Sequence, residues 1–132
     1  MTKQELIRAA FAAREKAYAP YSRFKVGAAL EAKDGRVFTG CNIESATYTP
    51  TCCAERTALL KAVSEGHRDN WVTMAVAGRG EDFCWPCGSC RQMLYEFAPD
   101  LKVLCANGNK EWADVSLREL LPMGFSASAM EK

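Results

Sequence analysis

The sequence predicts an α/β protein: a three-layer α/β/α sandwich built on a mixed five-stranded sheet. Two observations predict it. Five short apolar or alternating runs, near residues 24–32, 36–43, 72–77, 101–105 and 111–114, read as strands, and four segments of helical spacing fall before, between and after them. The resulting order is helix, hairpin, helix, strand, helix, strand, strand, helix. Helices then connect the central strands, which favours right-handed parallel crossovers with helices packed on the faces of the sheet. With 132 residues, 48% of them hydrophobic, the chain can bury one core, so residues 1–132 read as a single domain.

Each element carries its own signal. Thr2 and Glu5 form a capping-box pattern. Leu6, Ala10, Ala13 and Ala17, and likewise Ile7, Phe11 and Tyr18, then recur at helical spacing until Pro20 ends the helix. Phe24, Val26, Ala28, Leu30 and Ala32 alternate as in a strand, Asp34-Gly35 signals a hairpin turn, and the chain returns over residues 36–43. Residues 45–52 form a Ser/Thr/Pro-containing loop. Ala54, Ala58, Leu59, Ala62 and Val63 make one helical face, closed by Gly66. Residues 72–77 are a continuous apolar run suited to a strand buried on both faces. After a loop over residues 78–85, a helix begins near Gly88 with Cys90, Met93, Leu94 and Phe97 on its inner stripe. A strand over residues 101–105, a turn at Asn107-Gly108, a short strand over residues 111–114 and a short helix capped by Ser116 complete the chain.

Composition narrows the function classes. Seventeen basic residues balance sixteen acidic ones, without the basic stripe expected of a nucleic-acid binder. No apolar run approaches the ~20 residues of a membrane span, and Met1-Thr2-Lys3-Gln4-Glu5 does not resemble a signal peptide. Seven is an odd number of cysteines, and the Cys-x-Glu and Cys-x-x-Cys patterns among them indicate thiolates kept reduced for metal, hence a cytoplasmic protein. Cys41 and Cys105, in or beside strand-like runs, read as small core residues.

The chemistry is concentrated in Cys53-Ala54-Glu55 and, about thirty residues later, Pro86-Cys87-Gly88-Ser89-Cys90. Three thiolates can hold one zinc ion and leave a fourth position for water, as catalytic rather than structural sites do. Both motifs fall at helix N-termini, where free N–H groups and the helix dipole stabilise thiolates. Glu55, near the metal but not on it, would take a proton from the activated water and pass it on; such a pairing is the core of hydrolytic nucleobase deamination. Three thiolates more than neutralise Zn²⁺, so a hydrogen-bond donor to sulfur is expected. Arg56 is the first choice and Arg91 the second.

Cys52 and Cys84 are rival ligands. Only Cys53 stands two residues before a glutamate, and Pro86 suits the turn just before a helix whose first turn carries Cys87 and Cys90; Cys52 and Cys84 then read as loop thiols. His67, the single histidine, sits about 20 Å along the helix from Cys53 at ~1.5 Å per residue, too far to close a structural zinc site, and reads as a surface residue. A dithiol redox protein built on Cys87 and Cys90 would leave Cys53 and Glu55 without a role.

Four segments, in order and at these intervals, resemble the small, all-cysteine cytidine deaminases: Tyr21-Ser22-Arg23-Phe24-Lys25-Val26-Gly27-Ala28-Ala29-Leu30, Cys41-Asn42-Ile43-Glu44, Cys53-Ala54-Glu55-Arg56-Thr57-Ala58, and Pro86-Cys87-Gly88-Ser89-Cys90-Arg91-Gln92. The resemblance implies one Zn²⁺ per chain and hydrolysis of cytidine and 2′-deoxycytidine to uridine and 2′-deoxyuridine in pyrimidine salvage, with release of ammonia. It implies that Phe24 packs on the pyrimidine, that Asn42 and Glu44 bind the ribose, and that Ala54 and Glu55 meet the polar edge of the base. It also implies a homotetramer in which Tyr48 and Phe125 complete the sites of neighbouring subunits. The partners are then a small nucleoside and further copies of the chain, with neither nucleic acid nor membrane. The chain departs from the family after Glu44, reading Ser45-Ala46-Thr47-Tyr48 and then Thr49-Pro50-Thr51-Cys52.

Overall fold

Alternation along the strands decides which helix covers which face of the sheet. The computed structural model describes residues 1–130; Glu131 and Lys132, the end of the expected domain, lie outside the described residues. The elements are α1 (Lys3–Arg14), β1 (Gly27–Ala32), β2 (Val37–Cys41), α2 (Ala54–Ser64), β3 (Trp71–Ala77), α3 (Gly88–Phe97), β4 (Lys102–Ala106), β5 (Trp112–Ser116) and α4 (Leu117–Leu120), followed by a 3₁₀ turn (Ala127–Met130). The five strands form one sheet in the order β2-β1-β3-β4-β5. All neighbours are antiparallel except β3 and β4, which run parallel with α3 as their connection.

Ala28, Leu30, Ala32, Met74, Val76, Val103 and Cys105 point to one face and pack with Ala54, Ala58, Leu59 and Ala62 of α2 and Leu94 of α3. The residues between them, Ala29, Ala75, Ala77, Leu104 and Ala106, face α1 through its Leu6, Ile7, Ala10 and Phe11. This period-two division yields the expected three layers. The face under α1 is floored largely by alanine, so the helix lies close to the sheet. Closest of all is Gly27, where an added Cβ would stand 2.5 Å from the Arg14 nitrogen and nearer still to the Ala10 carbonyl. Gly40 makes the same close approach to α2: a Cβ there would be 2.5 Å from both the Ala54 carbonyl oxygen and the Ala58 nitrogen.

Several elements differ from the sequence expectation for identifiable reasons. α1 stops at Arg14 rather than near Pro20, because Tyr18 leaves the helix to pair with the 42–44 segment: its N–H donates to the Asn42 carbonyl and its own carbonyl accepts from the Glu44 N–H, both at 2.9 Å. β1 begins at Gly27 rather than at Phe24. Along residues 24–26 the Asn42 side chain takes the place of a neighbouring strand, its Nδ2 donating to the Phe24 carbonyl (2.8 Å) and its Oδ1 accepting from the Val26 N–H (2.9 Å). β3 is not buried throughout: the β1–β3 register shifts at Glu31/Ala32, leaving Val72 as the extra residue of a bulge, exposed to solvent. On α3, Cys90 and Leu94 are buried, whereas Met93, expected on the inner stripe, is exposed because only the side of the helix bearing Cys90 and Leu94 faces the sheet. His67 is half-buried, its ring 5.1 Å from that of Phe38 and its Nε2 3.3 Å from an Arg36 nitrogen. Cys105 is buried as expected, whereas Cys41, at the end of β2, is only half-buried.

Candidate metal centre and substrate cleft

One end of the sheet carries the site. Gly27, Cys41, Ala77 and Ala106 are level with one another in the pairing of β2, β1, β3 and β4. From that row spring the segments 20–26, 42–53 and 78–87. The last two end at helix starts: Cys53 is the N-cap of α2 and Cys87 the N-cap of α3, both in extended conformation. Neither side chain makes the usual capping bond to its helix, so both sulfurs are free to turn toward each other.

They meet. The Cys53 and Cys87 Sγ atoms are 3.6 Å apart, Cys87 and Cys90 Sγ 3.3 Å, and all three lie within 4.8 Å of one another. Ligands at the usual Zn–S length of ~2.3 Å around a tetrahedral ion stand about 3.8 Å apart, so the three sulfurs fit one zinc ion and leave one position of the tetrahedron open. Among the described residues no histidine, carboxylate or fourth thiol joins the group. Hydrogen bonding from Cys90, then from Cys87 and Arg56, brings the pKa of Cys53 down to about 5. Cys90 moves the opposite way, raised chiefly by its hydrogen bond to Cys53.

Arg56 reaches the cluster as expected. Its Nη2 donates to Cys53 Sγ (3.9 Å) and to the Thr51 carbonyl (3.2 Å), while its Nε is buried without a hydrogen-bond partner. Arg91 does not reach sulfur. It donates instead to the Pro86 carbonyl (2.7 Å) and the Leu120 carbonyl (2.9 Å), tying the turn before α3 to the end of α4.

Glu55 is 4% exposed, one residue inside α2 and beside the thiols. Burial, reinforced by the negative charge of Cys53, pushes its carboxyl up to about 7. A group poised near neutrality can both accept and return a proton. Glu55 lines a cleft of about 350 Å³ together with Phe24, Asn42, Glu44, Ala54 and the thiols Cys53 and Cys87. Asn42 and Glu44 also build the wall of that cleft. Asn42 holds residues 24–26, as described above. The Glu44 carboxylate accepts from the Tyr21 N–H (3.0 Å), the Ser22 N–H (3.1 Å) and the Ser22 hydroxyl, and the hydroxyl bond first of all holds its pKa below the usual value.

Tyr48 and Phe125 lie outside the cleft of their own chain. Tyr48 is 70% exposed with φ of +64°, its ring edge-on to Tyr21 at 6.1 Å; Phe125 is also exposed, its carbonyl held by Gln92. The sequence reading gave no substrate role to several other lining residues, among them Cys84 and Trp85. Their adjacency to Pro86-Cys87 was the available signal. Burial pushes the Cys84 thiol up to about 12, which keeps it from serving as a thiolate. Cys52 sits apart from the cluster, its sulfur 3.5 Å from the Thr57 hydroxyl.

Three thiols that fit one zinc with an open position, beside a buried carboxyl group at the floor of a cleft, define a catalytic zinc centre of the hydrolytic kind. The profile of the cytidine and deoxycytidylate deaminase zinc-binding region matches residues 1–106. The chain is 51% identical to the cytidine deaminase of Halalkalibacterium halodurans over 131 residues, 98% of each chain, and 45% identical to that of Sporosarcina psychrophila over 127 residues, 96% of this chain and 93% of the relative. The crystal structure of cytidine deaminase from Burkholderia pseudomallei superposes with a TM-score of 0.92 at 50% identity, covering 95% of this chain and all of that one. The cytidine deaminase structure from Mycobacterium tuberculosis gives 0.81 at 36% identity over 95% of this chain and 98% of its own. The chain belongs to the cytidine and deoxycytidylate deaminase family.

Ligand assignment has a direct consequence. Cys53→Ala is expected to lower bound zinc from one per chain to near zero after dialysis, while Cys52→Ala keeps it, as read by elemental analysis. Zinc retained by Cys53→Ala and lost from Cys52→Ala would shift the ligand by one residue.

Proposed function

We propose that this protein hydrolyses cytidine and 2′-deoxycytidine to uridine and 2′-deoxyuridine, releasing ammonia, and serves pyrimidine salvage. The observation that carries the reading is Glu55: a buried carboxyl poised near neutrality beside three convergent thiols, inside a cleft of nucleoside size. Cys53, Cys87 and Cys90 would hold a zinc ion, which when bound would supply the Lewis acidity that lowers the pKa of water. The chain's own groups do the rest. Phe24 offers an aromatic wall for the pyrimidine, Asn42 and Glu44 offer polar atoms to the sugar hydroxyls, and the Ala54 backbone meets the base edge. Glu55 accepts a proton from water as its oxygen bonds to C4 and delivers that proton to ring N3, then carries the second proton of the same oxygen to the exocyclic amine, so that the C4–N bond breaks, ammonia departs and C4 is left as the carbonyl of uridine. Arg56 draws charge from Cys53 Sγ and keeps the three-thiolate centre electrophilic.

The working unit is residues 1–132 as one domain, in a cytoplasmic homotetramer whose active sites are shared. Exposed Tyr48 and Phe125, idle in their own chain, support the sharing. No helix among the described residues is long and apolar enough to cross a membrane. Zinc-loaded protein added to cytidine should abolish the cytosine absorbance band and release one ammonia per nucleoside, with CMP and adenosine unreacted. Absence of turnover on either cytidine or deoxycytidine at full zinc loading would sink the reading. Phe125→Ala should raise the KM for cytidine roughly tenfold, about 1.4 kcal/mol of binding, with zinc content unchanged; a fully active monomer would refute sharing.

A further inference from the structure

The segment ahead of β1 has two faces of different chemistry. Ser22, Phe24 and Val26 line the substrate cleft, whereas Arg23 and Lys25, the residues between them, line a separate cavity of about 470 Å³. Arg14, Glu15 and Arg79 complete the charged lining of the second cavity, so four cations face one carboxylate. Arg14 is already engaged, donating to the Gly78 carbonyl at 2.6 Å and paired with Glu15 at 3.3 Å. Among the described residues, Arg23, Lys25 and Arg79 make no ion pair and no side-chain hydrogen bond. Three unopposed cations around one hollow repel one another and set up a positive potential that attracts anions.

We propose that this cavity binds a diphosphate or triphosphate group, at a site separate from the substrate cleft. Its volume falls in the ~300–1,000 Å³ range of small-molecule sites. Its charge exceeds what one phosphate offers: a monoester carries about −1.5 to −2, short of three free cations, whereas two or three linked phosphates balance them. Arg23 and Arg79 bring planar guanidinium forks that match phosphate oxygens in pairs, and Lys25 adds a point charge. The Arg79 guanidinium also lies over the Phe24 ring at 5.0 Å. The anion site and the nucleoside cleft are therefore neighbours through a single residue.

Calorimetric titration of the zinc-loaded protein at low ionic strength, with pyrophosphate and with CTP, tests this without reference to deaminase activity. Saturable binding of pyrophosphate at one per chain is expected, weakened at least tenfold in Lys25→Ala/Arg79→Ala and in the milder Lys25→Gln/Arg79→Gln. Arg118→Ala, which removes a cation paired with Asp100 away from the cavity, should leave it unchanged. Equal affinity for pyrophosphate and CTP would mean that the phosphate chain alone is read; tighter, equally variant-sensitive CTP binding would mean that a nucleotide is the ligand. Unsaturable pyrophosphate binding, or binding that survives both double variants, would overturn the proposal.

Discussion

Glu55→Gln is expected to cut turnover of cytidine by about 10²–10⁴-fold, the usual range for loss of a general acid–base group, with zinc kept at one per chain. The exchange preserves volume and removes only the ability to accept and return a proton. It is also unusually clean for stability. Glu55 is 4% exposed, and burial already favours its neutral form, so a neutral amide suits the site. The KM for cytidine should change far less than kcat. A variant within tenfold of the parent in kcat would take the proton-transfer role away from Glu55. Loss of zinc together with turnover would instead make it a structural neighbour of the metal.

Gly27→Ala is expected to be the most damaging single-methyl addition. The new Cβ would meet backbone, 2.5 Å from the Arg14 nitrogen and closer still to the Ala10 carbonyl, so no rotamer change can relieve it and α1 must lift from its alanine floor. Overpacking of a tight core costs roughly 1–3 kcal/mol, and a backbone clash belongs at the upper end, a fall in Tm of about 10 °C for a chain of this size. Because Gly27 is level with the row that bears the active-site segments, activity at moderate temperature should fall with it. Differential scanning calorimetry decides the point: a Tm within 2–3 °C of the parent, about the shift of a sub-kcal/mol change, would mean that α1 packs less tightly than described.

Much of this was legible in the sequence because its signals are local. The capping box at Thr2, the cap at Ser116, the Asp34-Gly35 turn and the two cysteine motifs each depend on residues only a few positions apart, and all lie where the pattern placed them. The strand alternation likewise sorted Leu30, Met74 and Val103 onto one face. What escaped was decided by pairing between distant segments. Nothing around Tyr18 shows that residues 42–44 will claim its backbone and end α1 early. Nothing around Phe24 shows that an amide sixteen to eighteen residues away will replace a strand partner. The bulge that exposes Val72 is a property of the β1–β3 register, not of the apolar run itself. At the site, thiol chemistry announced itself by spacing, but the polar work of Asn42 and Glu44 in holding residues 21–26 did not, since each looked like a residue waiting for a ligand.

Cys53 and Cys87 lie 34 positions apart, and that separation sets a schedule for the newborn chain. At synthesis rates of ~5–20 residues per second, Cys53 leads Cys87 off the ribosome by about 2–7 s. Through that interval it stands next to Cys52 with no metal partner. The trio is complete only after Cys90, when β4 and β5 are still to be made. Zinc capture at this centre is therefore a late event in the life of each chain, and a cell short of zinc would accumulate nearly finished subunits with bare thiols rather than arrested fragments.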